Sequence, residues 1–430
     1  MKGLVLFQDF NRIIAVLFGI FYMYQMVYLA IGLFGKKSEP EKKSAELKRY
    51  AVMISARNEE NVIGELVESL KHQSYPEDLY EVYVLADNCT DHTADAARKA
   101  GAVAYERFNK EKVGKGYALN ELYHHIMEDA GTDAYDGFFV FDADNIVDYR
   151  FIEEMNRTFV NGKFDAVTGY RNSKNYADNW ITAGYSLNFL REARFVNSPR
   201  MKIGSSCMVS GTGFLVSAET MKENGGWPFH LLTEDIEFSV DCAIRGKRIG
   251  YCDDAIFYDE QPQEFGQSFR QRLRWTKGFF QIAREYSVSL AYSVVKGREN
   301  AFDCYDALMT VAPASVLTAF LLIYNTVILG ATLFMNPYLG EMYRMTALQY
   351  LTGAAVGFYL QFLMTGGFTL IKEWKRIRAS SAAKIGYLFL YPFFMFTYVP
   401  ITLAGIFAKA EWKPIVHHSS RQNRQMKTAE

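Results

Sequence analysis

The sequence predicts an α/β domain with a mostly parallel central sheet, carried between transmembrane and interfacial α-helices. Three observations predict it. Between residues 50 and 260, short apolar runs alternate with amphipathic helical stretches, the rhythm of strand–helix–strand units. Charged residues concentrate between 36 and 300. Outside that stretch lie uncharged apolar runs long enough to cross a bilayer, which takes about 20 residues.

Taken in order, "IIAVLFGIFYMYQMVYLAIGLF" (13–34) reads as a transmembrane helix within an N-terminal segment, 1–36, and is too long for a signal peptide. Lys36, Lys37, Lys42 and Lys43 follow, which by the positive-inside rule leaves the next domain in the cytoplasm. That domain occupies 48–264. "YAVMIS" (50–55) is a buried strand, "EENVIGELVESLKHQ" (59–73) an amphipathic helix and "EVYVLAD" (81–87) a second strand. "TADAARKAG" (93–101) is a helix closed by Gly101. "AVAYER" (102–107) and "GFFVFDAD" (137–144) are further strands, separated by the helix "GYALNELYHHIMED".

Residues 265–300 read as interfacial amphipathic helix, and 301–372 as two spans drawn from 308–334 and 346–371. The last segment, 373–430, carries an apolar run (385–408) interrupted by Pro392 and Pro400. A crossing there would leave the basic tail "RQNRQMK" outside, against the charge rule, so a broken interfacial helix is expected, with a fourth span as the alternative.

Composition excludes some functions. The net charge of −1 over 430 residues gives no basic field for nucleic acid. Cys89, Cys207, Cys242, Cys252 and Cys304 form no CxxC pair and no zinc-ligand spacing, as expected of reduced thiols in the cytosol.

In parallel sheets ligands collect where strands end, which raises Asp87 and Asp142 from surface acids to site candidates. "FFVFDADN" (138–145) sets Asp142 and Asp144 two apart after a buried run, suited to a Mg²⁺ or Mn²⁺ ion bound with substrate phosphates; the bland reading is a solvated turn. Lys115 stands at a helix start where backbone amides also favour phosphate, although "NKEKVGKGYALN" fails the P-loop pattern. In "ISARNEENVI", Asn58, Glu59 and Glu60 sit in the first helical turn as caps, or else belong to a base-and-ribose pocket. "SGTGFLV" (210–216) offers Gly211 and Gly213 for close backbone approach, or forms a plain hairpin or bulge.

In "LLTEDIEFSVDCAIRGK", Thr233 is the expected N-cap, with Glu234 and Asp235 in the first turn. Capping competes with a role for Asp235 as general base, Glu234 beside it. In "SFRQRLRWTKGFFQIAREY", Gln271 and Arg274 share a helix face with Trp275 adjoining. That helix also suits a lipid surface, and the two roles are compatible.

The order of "ISARNEE", "LADNCTDHT", "GKGYALN", "FDADN", "SGTGF", "LTED" and "QRLRW" over 50–276 resembles the membrane-embedded family-2 inverting glycosyltransferases of the cellulose, chitin, hyaluronan and poly-N-acetylglucosamine synthase type. The resemblance implies a GT-A (Rossmann-like) nucleotide-sugar domain. It also implies a UDP-sugar donor (UDP-glucose or UDP-N-acetylglucosamine), a divalent cation (Mg²⁺ or Mn²⁺), and a growing glycan or glycolipid as acceptor at the cell membrane. By the same resemblance, Asp87 and the turn of Ala56, Arg57 and Glu59 contact uracil or ribose, and Lys115 the diphosphate. Asp142 and Asp144 bind nucleotide and metal, with Asp144 the closer ligand. Asp235 is the base, and Gly211, Thr212, Gly213, Gln271, Arg274 and Trp275 hold diphosphate and acceptor.

"EWKPIVHH" (411–418) resembles the gating loop of those synthases, although the family usually has further spans after it. A multi-pass processive polymerase is thus expected, alone or with a second copy or accessory subunit. A lipid-glycosylating enzyme is the first rival, and a non-catalytic nucleotide-binding membrane component the second.

Overall fold

The structure, a computed structural model, describes residues 2–35, 46–311 and 313–407. Lys36, Lys37, Lys42 and Lys43, the gating-loop resemblance at 411–418 and the basic tail lie outside the described residues.

Eight strands form one mixed sheet: β1 (Tyr50–Ala56), β2 (Tyr80–Asp87), β3 (Val103–Arg107), β4 (Gly137–Asp142), β5 (Ile146–Val147), β6 (Ala166–Ser173), β7 (Phe214–Ser217) and β8 (Ile249–Asp259). Their order is β3-β2-β1-β4-β7-β6-β8-β5. From β3 to β4 the strands are parallel, with Ser55 opposite Asp142 and Ala56 opposite Ala86. β7 runs antiparallel to both β4 and β6, while β6 and β8 are again parallel. The β1, β2 and β4 runs are apolar on both faces because both faces are covered. Met53, Leu85, Phe138 and Val140 lie in one core, and Val52, Ile54, Val84, Phe139 and Phe141 in the other.

Two apolar helices, α1 (Lys2–Tyr22) and α2 (Tyr24–Phe34), precede the sheet. Around it pack α3 (Ile63–Lys71), α4 (Thr93–Lys99), α5 (Lys115–Ala130), α6 (Phe151–Gly162), α7 (Trp180–Glu192), α8 (Ser198–Ile203), α9 (Ala218–Glu223) and α10 (Glu234–Arg245). The 31-residue α11 (Phe265–Val295) leads to α12 (Ala301–Val311), α13 (Pro313–Ala331), α14 (Pro337–Glu373), α15 (Ser381–Phe396) and α16 (Tyr398–Phe407).

Among the described residues, three helical stretches are long and apolar enough to cross a membrane: Lys2–Tyr22, Pro337–Glu373 and Ser381–Phe407. The apolar run 13–34 is therefore not one helix. It divides at Met23 between α1 and α2, and Tyr24 and Tyr28 just beyond the break both donate to Asp306, at 2.8 Å each. The last apolar run, expected to be a broken interfacial helix, does break, at Thr397, yet its length and hydropathy also suit a span.

Polar connections tie this helical part to the sheet domain and to itself, three of them well buried. Asp306 of α12 also accepts from Arg200 of α8 at 2.6 Å. Tyr170 of β6 donates to Glu373 at the end of α14 at 2.8 Å. The fully buried Arg272 of α11 donates to the Phe394 carbonyl at 3.3 Å and the Thr397 hydroxyl at 2.5 Å, and faces the rings of Phe394 and Tyr398.

Candidate active site

The carboxyl ends of β2, β1 and β4 lie side by side, so the topology alone brings Asp87, Ala56 and Asp142 to one edge. This is the strand-end crevice where open α/β sheets bind ligands.

On the β1–β2 side, Asn58 adopts a left-handed backbone conformation (φ 57°) and its Oδ1 accepts from the Thr90 amide at 2.8 Å. The Glu59 amide donates to the Thr93 hydroxyl at 2.8 Å. These bonds knit the turn after Ala56 to the loop after Asp87. The expected capping role for Asn58, Glu59 and Glu60 is corrected here: α3 starts at Ile63, and its N-cap residue, Val62, makes no side-chain cap. Asp87 is buried, and Arg107 donates to its Oδ1 at 2.6 Å, as does Asn88 at 2.8 Å. Burial pushes the Asp87 carboxyl up, and Arg107 pulls against that shift. Arg57 lies within electrostatic reach of it.

The centre is built on Gly211. Lys115, the first residue of α5, ion-pairs with Asp142 and donates to the Gly211 carbonyl at 2.6 Å, with Glu234 at 4.0 Å. A Cβ on Gly211 would lie 3.8 Å from Asp235 Oδ2 and 4.0 Å from Asp142 Oδ2, so the two carboxylates flank one point. The positive φ values of Gly211 (79°) and Gly213 (67°) give the loop its shape, and at Gly213 a Cβ would lie 2.2 Å from the Phe257 ring. Thr212 accepts from the Asp142 amide at 2.8 Å and donates to Asn145, which fixes the strand end under Asp142.

Glu234 and Asp235 open α10, but the capping reading fails. Thr233 stands at the N-cap without a side-chain cap bond, and its buried hydroxyl has no partner among the described residues. Burial raises both carboxyls; mutual repulsion adds to the rise at Glu234, and Lys115 and Arg274 oppose it at both. Burial alone would lower Lys115, but Asp142, Glu234 and Asp235 outweigh it and hold the ammonium above its ordinary range.

Arg274 donates to the Leu232 carbonyl at 3.4 Å, just ahead of the acid pair, and exerts an electrostatic pull on both acids. Gln271 Oε1 is buried with no hydrogen-bond partner among the described residues. Trp275 is half-buried, edge-on to Tyr185 at 5.8 Å and to Phe189 at 6.3 Å.

Asp144 is buried, accepting from Asn145 Nδ2 at 3.1 Å and the Glu260 amide at 3.2 Å. The described residues hold no group of three or more His, Cys, Asp or Glu able to bind a metal. A cation would therefore rest on Asp142, Asp144 and substrate oxygens, which is how Mg²⁺ commonly binds.

Several residues here were not anticipated from the sequence. Arg171 of β6 donates to Asp259 at 2.7 Å and to the Ser210 carbonyl at 3.0 Å. Burial pushes the Asp259 carboxyl up to about 6, Arg171 opposing and Asp144 and Asp142 adding repulsion. The signal for Arg171 and Asp259 was their place at the ends of β6 and β8, strands that the sequence reading had not delimited. Arg107 ends an expected strand beside Asp87 and was legible as its partner.

A sequence profile described as "Glycosyltransferase like family 2" matches residues 48–278, more than half of the chain, and the protein belongs to that family. It is 27% identical over 243 residues to a beta-monoglucosyldiacylglycerol synthase of Synechocystis sp., covering 55% of this chain and 49% of that protein. It is 24% identical over 250 residues to a poly-beta-1,6-N-acetyl-D-glucosamine synthase of Staphylococcus aureus, covering 57% and 58%. The chain spans about half the length of the curated relatives it matches. Among solved structures, a mannosyltransferase of Pyrobaculum calidifontis in complex with GDP-Man and Mn²⁺ superposes with TM-score 0.54 at 16% identity, over 92% of this chain and 99% of that one. That likeness bears on the fold, a GT-A-like mixed sheet.

Proposed function

We propose that the protein is an inverting, membrane-bound glycosyltransferase that moves glucose or N-acetylglucosamine from its UDP-sugar to an acceptor hydroxyl, with Asp235 as base. The observation that carries this reading is the gathering of Lys115, Asp142, Glu234 and Asp235 around Gly211 at one sheet edge. The loops after β1 and β2, with Arg57, Glu59 and Asp87, take the nucleoside. Lys115 and Arg274 face the diphosphate, and Arg274 can meet two phosphate oxygens at once. The acceptor oxygen attacks the anomeric carbon as Asp235 takes its proton, and the bond to UDP breaks with the electron pair leaving on the diphosphate. Attack opposite the leaving group turns an α-linked donor into a β-linked product. Asp142 and Asp144 are the residues to hold Mg²⁺ or Mn²⁺, which when bound neutralises charge developing on the leaving diphosphate. In this reading the catalytic domain faces the cytoplasm and the helices α1, α14 and α15–α16 hold it at the membrane.

The leading acceptor is a growing β-linked polysaccharide, extended processively, as the poly-beta-1,6-N-acetyl-D-glucosamine synthases among the relatives suggest. A second reading is favoured by the slightly higher identity to the beta-monoglucosyldiacylglycerol synthases: transfer of one sugar to a lipid. Purified protein supplied with UDP-glucose or UDP-N-acetylglucosamine, membrane lipid and Mg²⁺ decides between them. Long product by gel filtration supports the polymer, and a short lipid-linked product on thin-layer chromatography supports the lipid acceptor. Absence of UDP release from either donor overturns both.

A further inference from the structure

We infer that Glu192 is an acceptor-binding residue whose carboxylate takes a hydrogen bond from a hydroxyl of a neutral polyol, a sugar or a glycerol. The inference rests on the glycosyl-transfer reading and narrows its acceptor class.

Glu192 is the last residue of α7, and the chain then makes a π-helical turn over Ala193–Asn197. Such turns are rare and gather at functional sites. Phe189, one turn earlier, shares a face with Glu192. Its ring carries the Arg171 guanidinium at 3.7 Å and meets the Trp275 edge at 6.3 Å. This face of α7 therefore lies between the QRLRW helix and the strand-end residue that holds the Ser210 carbonyl, next to Gly211.

Glu192 is half-buried and feels the charges of Asp235, Arg171, Arg191 and Arg200. Two of those arginines are committed elsewhere: Arg171 to Asp259 and Ser210, and Arg200 to Asp306. Among the described residues nothing donates a hydrogen bond to the Glu192 carboxylate. A half-buried carboxylate with no donor from the protein is free to accept a hydrogen bond from a hydroxyl of a bound acceptor. A carboxylate placed to accept from a hydroxyl repels a phosphate terminus at the same spot, and Asp235 lies within its electrostatic reach.

The test uses the full chain in detergent with saturating UDP-glucose or UDP-N-acetylglucosamine, whichever releases UDP. The acceptor probes are dioleoylglycerol and chitobiose (neutral) and undecaprenyl phosphate (anionic), and calorimetric UDP binding reports the fold. For whichever neutral probe is used, E192Q and E192A are expected to raise acceptor KM roughly tenfold to a hundredfold. Glu192→Asp should recover part of the loss, and UDP affinity should stay within about a factor of two. The wild type should leave undecaprenyl phosphate unmodified. An unchanged acceptor KM in E192Q, a parallel collapse of UDP affinity, or efficient transfer to undecaprenyl phosphate overturns the inference. If the wild type releases no UDP from either donor, the glycosyl-transfer reading fails first and takes this inference with it.

Discussion

At the scale of single residues, the burial of Asp235 beside Glu234 determines how the site answers to pH. A base acts only when ionised. Because burial raises the Asp235 carboxyl, the rate should fall as pH drops through a value above the ordinary aspartate range of about 4. A rate profile of UDP release between pH 4 and 9 would show this acid limb, and a profile flat down to about pH 4 would contradict it. Asp235→Asn should lower kcat by about 10²–10⁴ while UDP still binds, as read by steady-state kinetics and calorimetry. Chelation by EDTA should abolish transfer, and Mg²⁺ or Mn²⁺ should restore it in wild type but poorly in Asp144→Asn. At this scale the sequence was most legible: Lys115, Asp142, Glu234 and Asp235 all come from short motifs, and they meet. Arg171 and Asp259 were hidden because their pairing depends on the parallel register of two strands far apart in the chain.

At the scale of elements, β1 to β4 and the helices between them were readable from alternating apolar runs; β1, β2 and β4 are buried on both faces, while β3 is a partly exposed edge strand. The antiparallel β7 was not, because a four-residue strand carries too few residues to show a period. The start of α3 was misplaced for a different reason. Glu59 and Glu60 have the composition of a first helical turn, but Asn58 turns left-handed and its side chain bonds to the neighbouring loop, delaying the helix to Ile63. Gly213→Ala tests how tightly the loop between α8 and β7 is built. Its positive φ and the Phe257 ring 2.2 Å from the added Cβ should together cost of order 2–4 kcal/mol, visible as a lowered Tm.

For the whole molecule, the connection between the sheet domain and the apolar helices is polar as well as apolar. Asp306 joins α12, α8 and α2 through Arg200, Tyr24 and Tyr28. Removing its carboxylate by Asp306→Ala leaves Arg200 buried and uncompensated, at an expected cost of about 3–5 kcal/mol. Fluorescence-monitored melting in detergent should show it, and an unchanged Tm would mean that the apolar contacts alone suffice. Composition and hydropathy announced these helices, and Pro392 and Pro400 a break in the last of them, but not the break at Met23, since its place depends on which polar atoms the flanking turns find. The break at Thr397 reaches further than its size suggests. Among the described residues Arg272 has no acid opposite it and is held by the Phe394 carbonyl, the Thr397 hydroxyl and three aromatic faces, so any tilt of the last helix would have to carry its charge along. Gln271, Arg274 and Trp275 ride on the same turn, so under the proposed function the attitude of the final helix would be wired to the residues assigned to grip the acceptor.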